Sequence, residues 1–463
     1  MFTQDVMVLN RFVHHTMRPF NADTNTQAAI DLLDKRGANY CDRPDFILFN
    51  VMGFRLTLSF LRWSPRFRMH RRLLQSALLK AKIAQYQNLQ TREARRAIKS
   101  VVEHPEKWET ALRRYATAVV LGAGFGVSIE RDDDPYVRMA EDASYALAHG
   151  GAPAGSLIDF FPFLQYLPSW LVPIPSLKFA REWHAAIRKI HEVPFAAQQL
   201  EARTSALDRG EAFEMTLEDI QGAAGAIYAA GQDTVSWCEP ASTLGQCSLV
   251  RQTWATLTVF VLNMVLNPEV QRKAQEEIDR VVGRDRLPSF SDRASMSYLD
   301  YVLLETLRWC PVSPLGVPHK SLEDDVYRGM FIPKGTLSLQ GLVVLRVNML
   351  YAGTIVYANA RAMCYDARVY KTPMAFDPMR YAPVSKGGRA EPPPVGHFGF
   401  GRRICVGRHF ADATLWIIMA TMLATLKFEN ALDDDGVPVT PKVLLTAGLT
   451  SHPEIFPCIL RPR

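Results

Sequence analysis

Apolar positions recur at helical spacing over long stretches between residues 62 and 308, and again over residues 410–428. That pattern predicts a mainly α protein. Residues 28–33 read as a short helix closed by Cys41-Asp42-Arg43-Pro44, and a long helical segment runs from the basic stretch at Arg62 to about Ser100. Residues 179–200 keep the same period, with Pro194 interrupting it. Strand-like patterns are few: residues 5–9, residues 327–333 and the pair Val356-Tyr357. Asp433-Asp434-Asp435-Gly436 reads as a solvated turn, and the chain end as an antiparallel hairpin.

Three segments do not fit this pattern: 11–27, 235–252 and 337–354. The second breaks a helix with Pro240 and Gly245; without it, Asp233-Thr234 would join Thr253-Trp254 in one long helix. The third parts Ile332-Pro333-Lys334-Gly335-Thr336 from Ile355-Val356-Tyr357. Each is about 18 residues long, more than a compact domain usually leaves without structure. Their similar length and seamless flanks suggest translated, unspliced introns, and the transcript sequence tests this.

Composition narrows the function. A chain of 463 residues with 48% hydrophobic content builds a large core. Its net charge of +6 comes from scattered basic residues, which argues against nucleic acid as a partner. Seven cysteines at irregular spacing argue against a disulfide framework and fit a reducing compartment. No apolar run reaches membrane-spanning length.

One stretch carries the chemistry. Phe398, Gly401, Arg403, Cys405 and Gly407 stand at the spacing F-x-x-G-x-R-x-C-x-G, which background residue usage rarely assembles. Gly401 and Gly407 lack a Cβ, so the backbone can turn sharply and approach a flat ligand. Arg403 offers a planar fork suited to a carboxylate. A helix over residues 410–428 would aim its positive end at the Cys405 sulfur and favour the thiolate. A lone cysteine is usually a small buried hydrophobe; these neighbours point instead to a thiolate ligand for iron beside a propionate anchor.

On these residues the chain resembles the cytochrome P450 family, the haem-thiolate monooxygenases, in their fungal microsomal type. The resemblance implies a single mainly α domain over residues 1–463, a helical prism with small β-sheets around haem b, and Cys405 as the axial ligand favouring O–O cleavage. Ala229-Ala230-Gly231-Gln232-Asp233-Thr234 resembles the family's A-G-x-D-T segment. There Ala230 and Gly231 would lie close to bound dioxygen, Thr234 would offer a hydroxyl, and Asp233 would pass protons inward. Phe67 stands where the family has tryptophan, four residues before Arg71, which matches a propionate-binding arginine; the indole N–H donor is thereby lost.

His319 resembles a histidine that donates to a propionate, and Val312 and Val317 match pocket walls. Glu305 and Arg308 share a helix face three residues apart, and the family buries such a pair with a further arginine, here Arg380 of Phe376-Asp377-Pro378-Met379-Arg380. That trio is expected to be structural. Residues 150–178, with Phe160, Phe161, Phe163, Trp170 and Leu171, would cover the pocket entrance or touch a membrane.

The implied partners are dioxygen, an apolar small molecule, and NADPH acting through a reductase. By resemblance the protein works at the cytosolic face of the endoplasmic reticulum. The usual anchor and proline-rich hinge are missing from its start, so the chain is expected to be truncated there and could be cytosolic. The opposing expectation is a non-catalytic, haem-binding product of a mis-spliced gene.

Overall fold

The helical pattern of the sequence resolves into nine longer helices among the described residues: α1 Pro65–Ala77, α2 Gln87–Glu103, α3 Trp108–Phe125, α4 Pro135–His149, α5 Pro175–Glu192, α6 Thr253–Leu266, α7 Pro268–Val281, α8 Ser297–Trp309 and α9 Arg408–Thr425. The computed structural model describes residues 26–463 apart from 132–133, 151–154, 172, 194–215, 217, 220, 223–224, 227–252, 335–354 and 447–448. Ala230, Gly231, Asp233 and Thr234, and nearly all of the three anomalous segments, therefore lie outside the described residues.

The expected single helix over residues 62–100 is two. Ser64 starts α1 by accepting the Phe67 amide at 3.1 Å, with Pro65 supplying a pre-set first turn. The chain then runs through a 3₁₀ stretch, Lys80–Tyr86, before α2 begins. Residues 26–35 form the short helix seen in the pattern, Thr26–Ala29 continuing as a π-helical turn, Ile30–Lys35.

Helices α6 and α9 are apolar around nearly their whole circumference, so both are central. They pack with α3 and α8 into the main core, where Trp254, Trp416 and Tyr115 are fully buried. Two polar contacts pin the layers: the Gln90 amide donates to the Thr414 hydroxyl at 2.8 Å, and the Tyr115 hydroxyl to the Thr414 carbonyl at 2.7 Å. A second core joins Phe46, Phe49, Phe54 and Phe60 to α4 and α5.

The sheets are small and antiparallel. β1 (His319–Lys320) pairs with β4 (Ile355–Val356), and β2 (Asp325–Tyr327) with β3 (Met330–Ile332). β5 (Leu426–Leu432) lies between β6 (Pro438–Val439) and β7 (Cys458–Pro462); the consecutive pair β5–β6 is a hairpin, whereas the chain end, expected as a hairpin, pairs antiparallel with the non-consecutive β5. The helix expected to reach residue 428 stops at Thr425, because Leu426 and Phe428 are buried while Lys427 is exposed, a period of two that suits a strand. Among the described residues no helix is long and apolar enough to cross a membrane.

Candidate functional site

The Cys405 loop is a tight backbone construction. The Cys405 amide donates to the Phe398 carbonyl at 2.8 Å, and the Gly399 amide closes a turn on Gly396 at 2.9 Å, with Gly399 at φ +73°. Gly401 also sits at positive φ, +51°, and a Cβ there would fall 2.0 Å from the Leu33 carbonyl oxygen. Its amide donates to Asp34 Oδ1 at 2.5 Å. Gly401 thus seats the loop on the Ile30–Lys35 turn, a reason for glycine different from the approach to a flat ligand. A Cβ on Gly407 would make only ordinary van der Waals contacts, with Leu78 Cδ1 at 3.9 Å and Cys405 Sγ at 4.0 Å.

Cys405 keeps exposed surface although protein surrounds it densely. Burial pushes its thiol up, and the Gly407 amide, Arg408 and Arg71 only partly offset this. The helix end by itself does not make a thiolate. A bound metal would, because coordination removes the proton outright.

Three arginines converge on this loop from separate parts of the chain. Arg403 donates from Nε to the Cys41 carbonyl at 2.6 Å and from Nη1 to the Leu61 carbonyl at 2.8 Å, while its buried Nη2 has no partner. Its guanidinium lies 3.6 Å from the centre of the Phe67 ring, so the aromatic packing at position 67 survives as a cation–π contact. Arg71 donates to the Ile404 carbonyl at 2.9 Å. Arg43 is buried and donates to the carbonyls of Val317 and Pro318 at 2.7 and 2.8 Å.

Burial opposes all three charges, and they repel one another. The neighbouring carboxylate, Asp42, is already taken by Arg62 at 2.7 Å and by the Trp63 amide at 2.7 Å. Among the described residues Arg43, Arg71 and Arg403 have no ion pair. Sequence reading missed Arg43; its signal was an arginine just before the proline that closes the first helical unit.

His319 completes this wall differently from expectation. Burial, then Arg43, lowers its pKa to about 3, and the ring nitrogen Nδ1 contacts the Tyr40 carbonyl at 2.8 Å. The neutral ring donates that proton to Tyr40 and keeps Nε2 as an acceptor, so donation to a carboxylate requires a second proton. The pocket-wall candidates Val312 and Val317 are half-buried, and the Val312 carbonyl accepts the Ser451 amide at 2.7 Å.

The Glu305 group is complete in itself. Arg308 reaches Glu305 at 2.8 and 2.9 Å, and Arg380 reaches it at 3.1 Å, all three side chains being fully buried. The Tyr381 hydroxyl and Asp377 amide donate to the same carboxylate at 3.0 and 2.9 Å. Arg380 meets a second carboxylate, Glu391, at 2.6 Å.

The family model described as Cytochrome P450 matches residues 13–238, 250–340 and 338–454. The chain belongs to the cytochrome P450 family. A cytochrome P450 monooxygenase of Armillaria gallica is 32% identical over 100% of this chain and 86% of its own length. Cytochrome P450 monooxygenase 136 of Postia placenta is 34% identical over 95% and 79%. The tryptamine 4-monooxygenase of Psilocybe cyanescens is 31% identical over 95% and 83%. A zebra fish cytochrome P450 solved with progesterone superposes with a TM-score of 0.71 at 22% identity, covering 95% of this chain and 93% of that one, which shows the shared fold.

P450 membership implies a monooxygenase whose haem is held by a cysteine thiolate, with dioxygen, a redox partner and a small-molecule substrate. The residues here fit that group: buried and half-buried guanidiniums without an ion pair, one with an orphaned N–H, offer donors for carboxylates, and Cys405 keeps exposed surface.

Proposed function

We propose that this P450 uses haem b, electrons from NADPH delivered by a reductase, and dioxygen to hydroxylate or epoxidise an apolar small molecule. The carrying observation is the buried Arg403 Nη2 left without a partner, in a cluster whose neighbouring carboxylate, Asp42, is already held by Arg62. When bound, the haem supplies dioxygen activation, and thiolate ligation favours O–O cleavage. Cys405 would be the axial ligand, and Phe398 would hold its amide. Arg403, Arg71 and Arg43 would neutralise the propionates, and His319 would join them on taking a second proton.

Thr234 and Asp233 would hold and move protons on the opposite side, with Ala230 and Gly231 leaving room there. Glu305, Arg308 and Arg380 would do no chemistry and instead fix the framework behind the loop. Membrane contact at the endoplasmic reticulum would use the exposed side chains Tyr166 (81%), Trp170 (82%), Phe163 and Leu171.

Carbon monoxide tests this reading. The reduced protein should give a red-shifted, thiolate-type Soret band, and Cys405→Ala should abolish it. A Cys405→Ala protein that keeps the band refutes the ligand assignment.

A second reading, a non-catalytic product of a mis-spliced gene, draws on the way the family match parts at 239–249, inside segment 235–252, and meets at 338–340, inside 337–354. Segment 11–27 lies almost wholly within a matched stretch and has no such support. Transcripts carrying both later segments, together with NADPH use that responds to a substrate, would exclude this second reading.

A further inference from the structure

We propose that His70 and His191 are positioning residues that clasp Asp219, Gly222 and Gly225, described helical positions of the segment that leads in sequence to Ala230–Thr234, between α1 and α5. The inference rests on the haem reading above and assigns residues that none of its motifs includes.

The segment opens with a capping box. The Asp219 amide donates to Thr216 Oγ1 at 3.1 Å, and the Thr216 amide returns to Asp219 Oδ2 at 3.3 Å. The same carboxylate is held by α1, through Arg66 and through His70 Nε2 at 3.1 Å. An ionised carboxylate only accepts, so His70 carries its proton on Nε2 and leaves Nδ1, which is buried without a partner. Arg71, the next residue, donates to Ile404 in the Cys405 loop. One turn of α1 therefore grips both the segment and the loop.

The other jaw is α5. His191 is fully buried; its Nδ1 donates to the Ile187 carbonyl at 2.9 Å and its Nε2 meets the Thr57 hydroxyl at 3.1 Å. Between the jaws the segment presents glycine at two positions three residues apart, hence on neighbouring positions of its surface. A Cβ on Gly222 would stand 2.6 Å from Leu56 Cβ and 3.2 Å from His70 Cε1. A Cβ on Gly225 would stand 1.9 Å from His191 Cδ2, which no relaxed structure allows. The two imidazoles and two missing side chains leave the segment one seating.

A clasp that only added stability would not set ligand geometry; one that positions the segment should change how an exogenous ligand enters opposite Cys405. Imidazole titrated into the ferric holoprotein reads this. His70→Leu should alter its dissociation constant about tenfold, the worth of one buried hydrogen bond to a charged group. His70→Gln, which returns an N–H near Nε2, should restore it to within about twofold. Gly225→Ala should reproduce the His70→Leu shift. The thiolate Soret band of the carbon monoxide complex should persist in all three.

Imidazole affinity unchanged in both His70→Leu and Gly225→Ala overturns the clasp. If a variant does not retain haem, amide exchange decides: acceleration confined to residues 216–226 supports the clasp, and uniform acceleration overturns it. A parent chain lacking the thiolate band refutes the haem reading instead, and amide exchange then judges the clasp separately.

Discussion

Arg308 and Arg380 in one cluster, and Arg43, Arg71 and Arg403 in the other, all lie buried or half-buried, yet only the first set is answered by carboxylates. Glu305 and Glu391 balance Arg308 and Arg380, and tyrosine and backbone donors fill the remaining acceptor positions. The second set has carbonyl partners, a phenylalanine face and an orphaned N–H. Desolvating a guanidinium is costly whatever its neighbours. A cluster that meets this cost internally is a piece of framework; one that does not marks where an anion from outside the chain belongs.

The sharpest way to break this contrast is Glu305→Gln. It leaves the buried Arg308 without an anion and Arg380 with Glu391 alone, and should cost about 3–5 kcal/mol, read as a collapse of the urea midpoint. A variant as stable as its parent would remove the distinction. Next in size, Arg403→Gln should weaken haem retention by at least about tenfold in a haem-transfer assay. It should change the haem-free chain's urea midpoint much less than Glu305→Gln does, since it deletes a cation with no ion pair. Equal losses in the two assays would place Arg403 with the framework.

Phe67→Leu keeps much of the apolar volume but removes the ring face under Arg403. It should cost about 0.5–2 kcal/mol in urea unfolding, and pairing it with Arg403→Gln should show strong non-additivity.

At neutral pH the smallest effect is that of His319, which shows only as the solution is acidified. His319 titrates near 3 in the folded protein against an ordinary value near 6.5, so the unfolded chain binds more protons between those values. Stability from this site is complete above about pH 6.5 and is lost as pH falls toward 3. His319→Gln should flatten that acid-side slope by up to one proton; an unchanged slope means that His319 is not the buried neutral ring described here.

Much of this was legible in the chain. The spacing around Cys405 located the loop, the three-residue interval of Glu305 and Arg308 located a shared helix face, and helical period located most elements. Register and ends were less legible: the strand at Leu426 looked like more helix, because an apolar run does not state its own period over three residues. The meaning of Gly401 was also hidden, since its reason is the Leu33 carbonyl, far away in sequence. Arg43 carried no local mark beyond the proline after it.

By itself, then, the sequence determined the family, the helical architecture and the loop that carries Cys405, because these are carried by local spacing and residue type. Only the tertiary structure decided which buried arginines are already paired, which way the His319 ring spends its proton, and why glycines stand at 401, 222 and 225. Those are questions of charge balance and of atoms meeting across distant segments, and one-dimensional spacing holds no record of either.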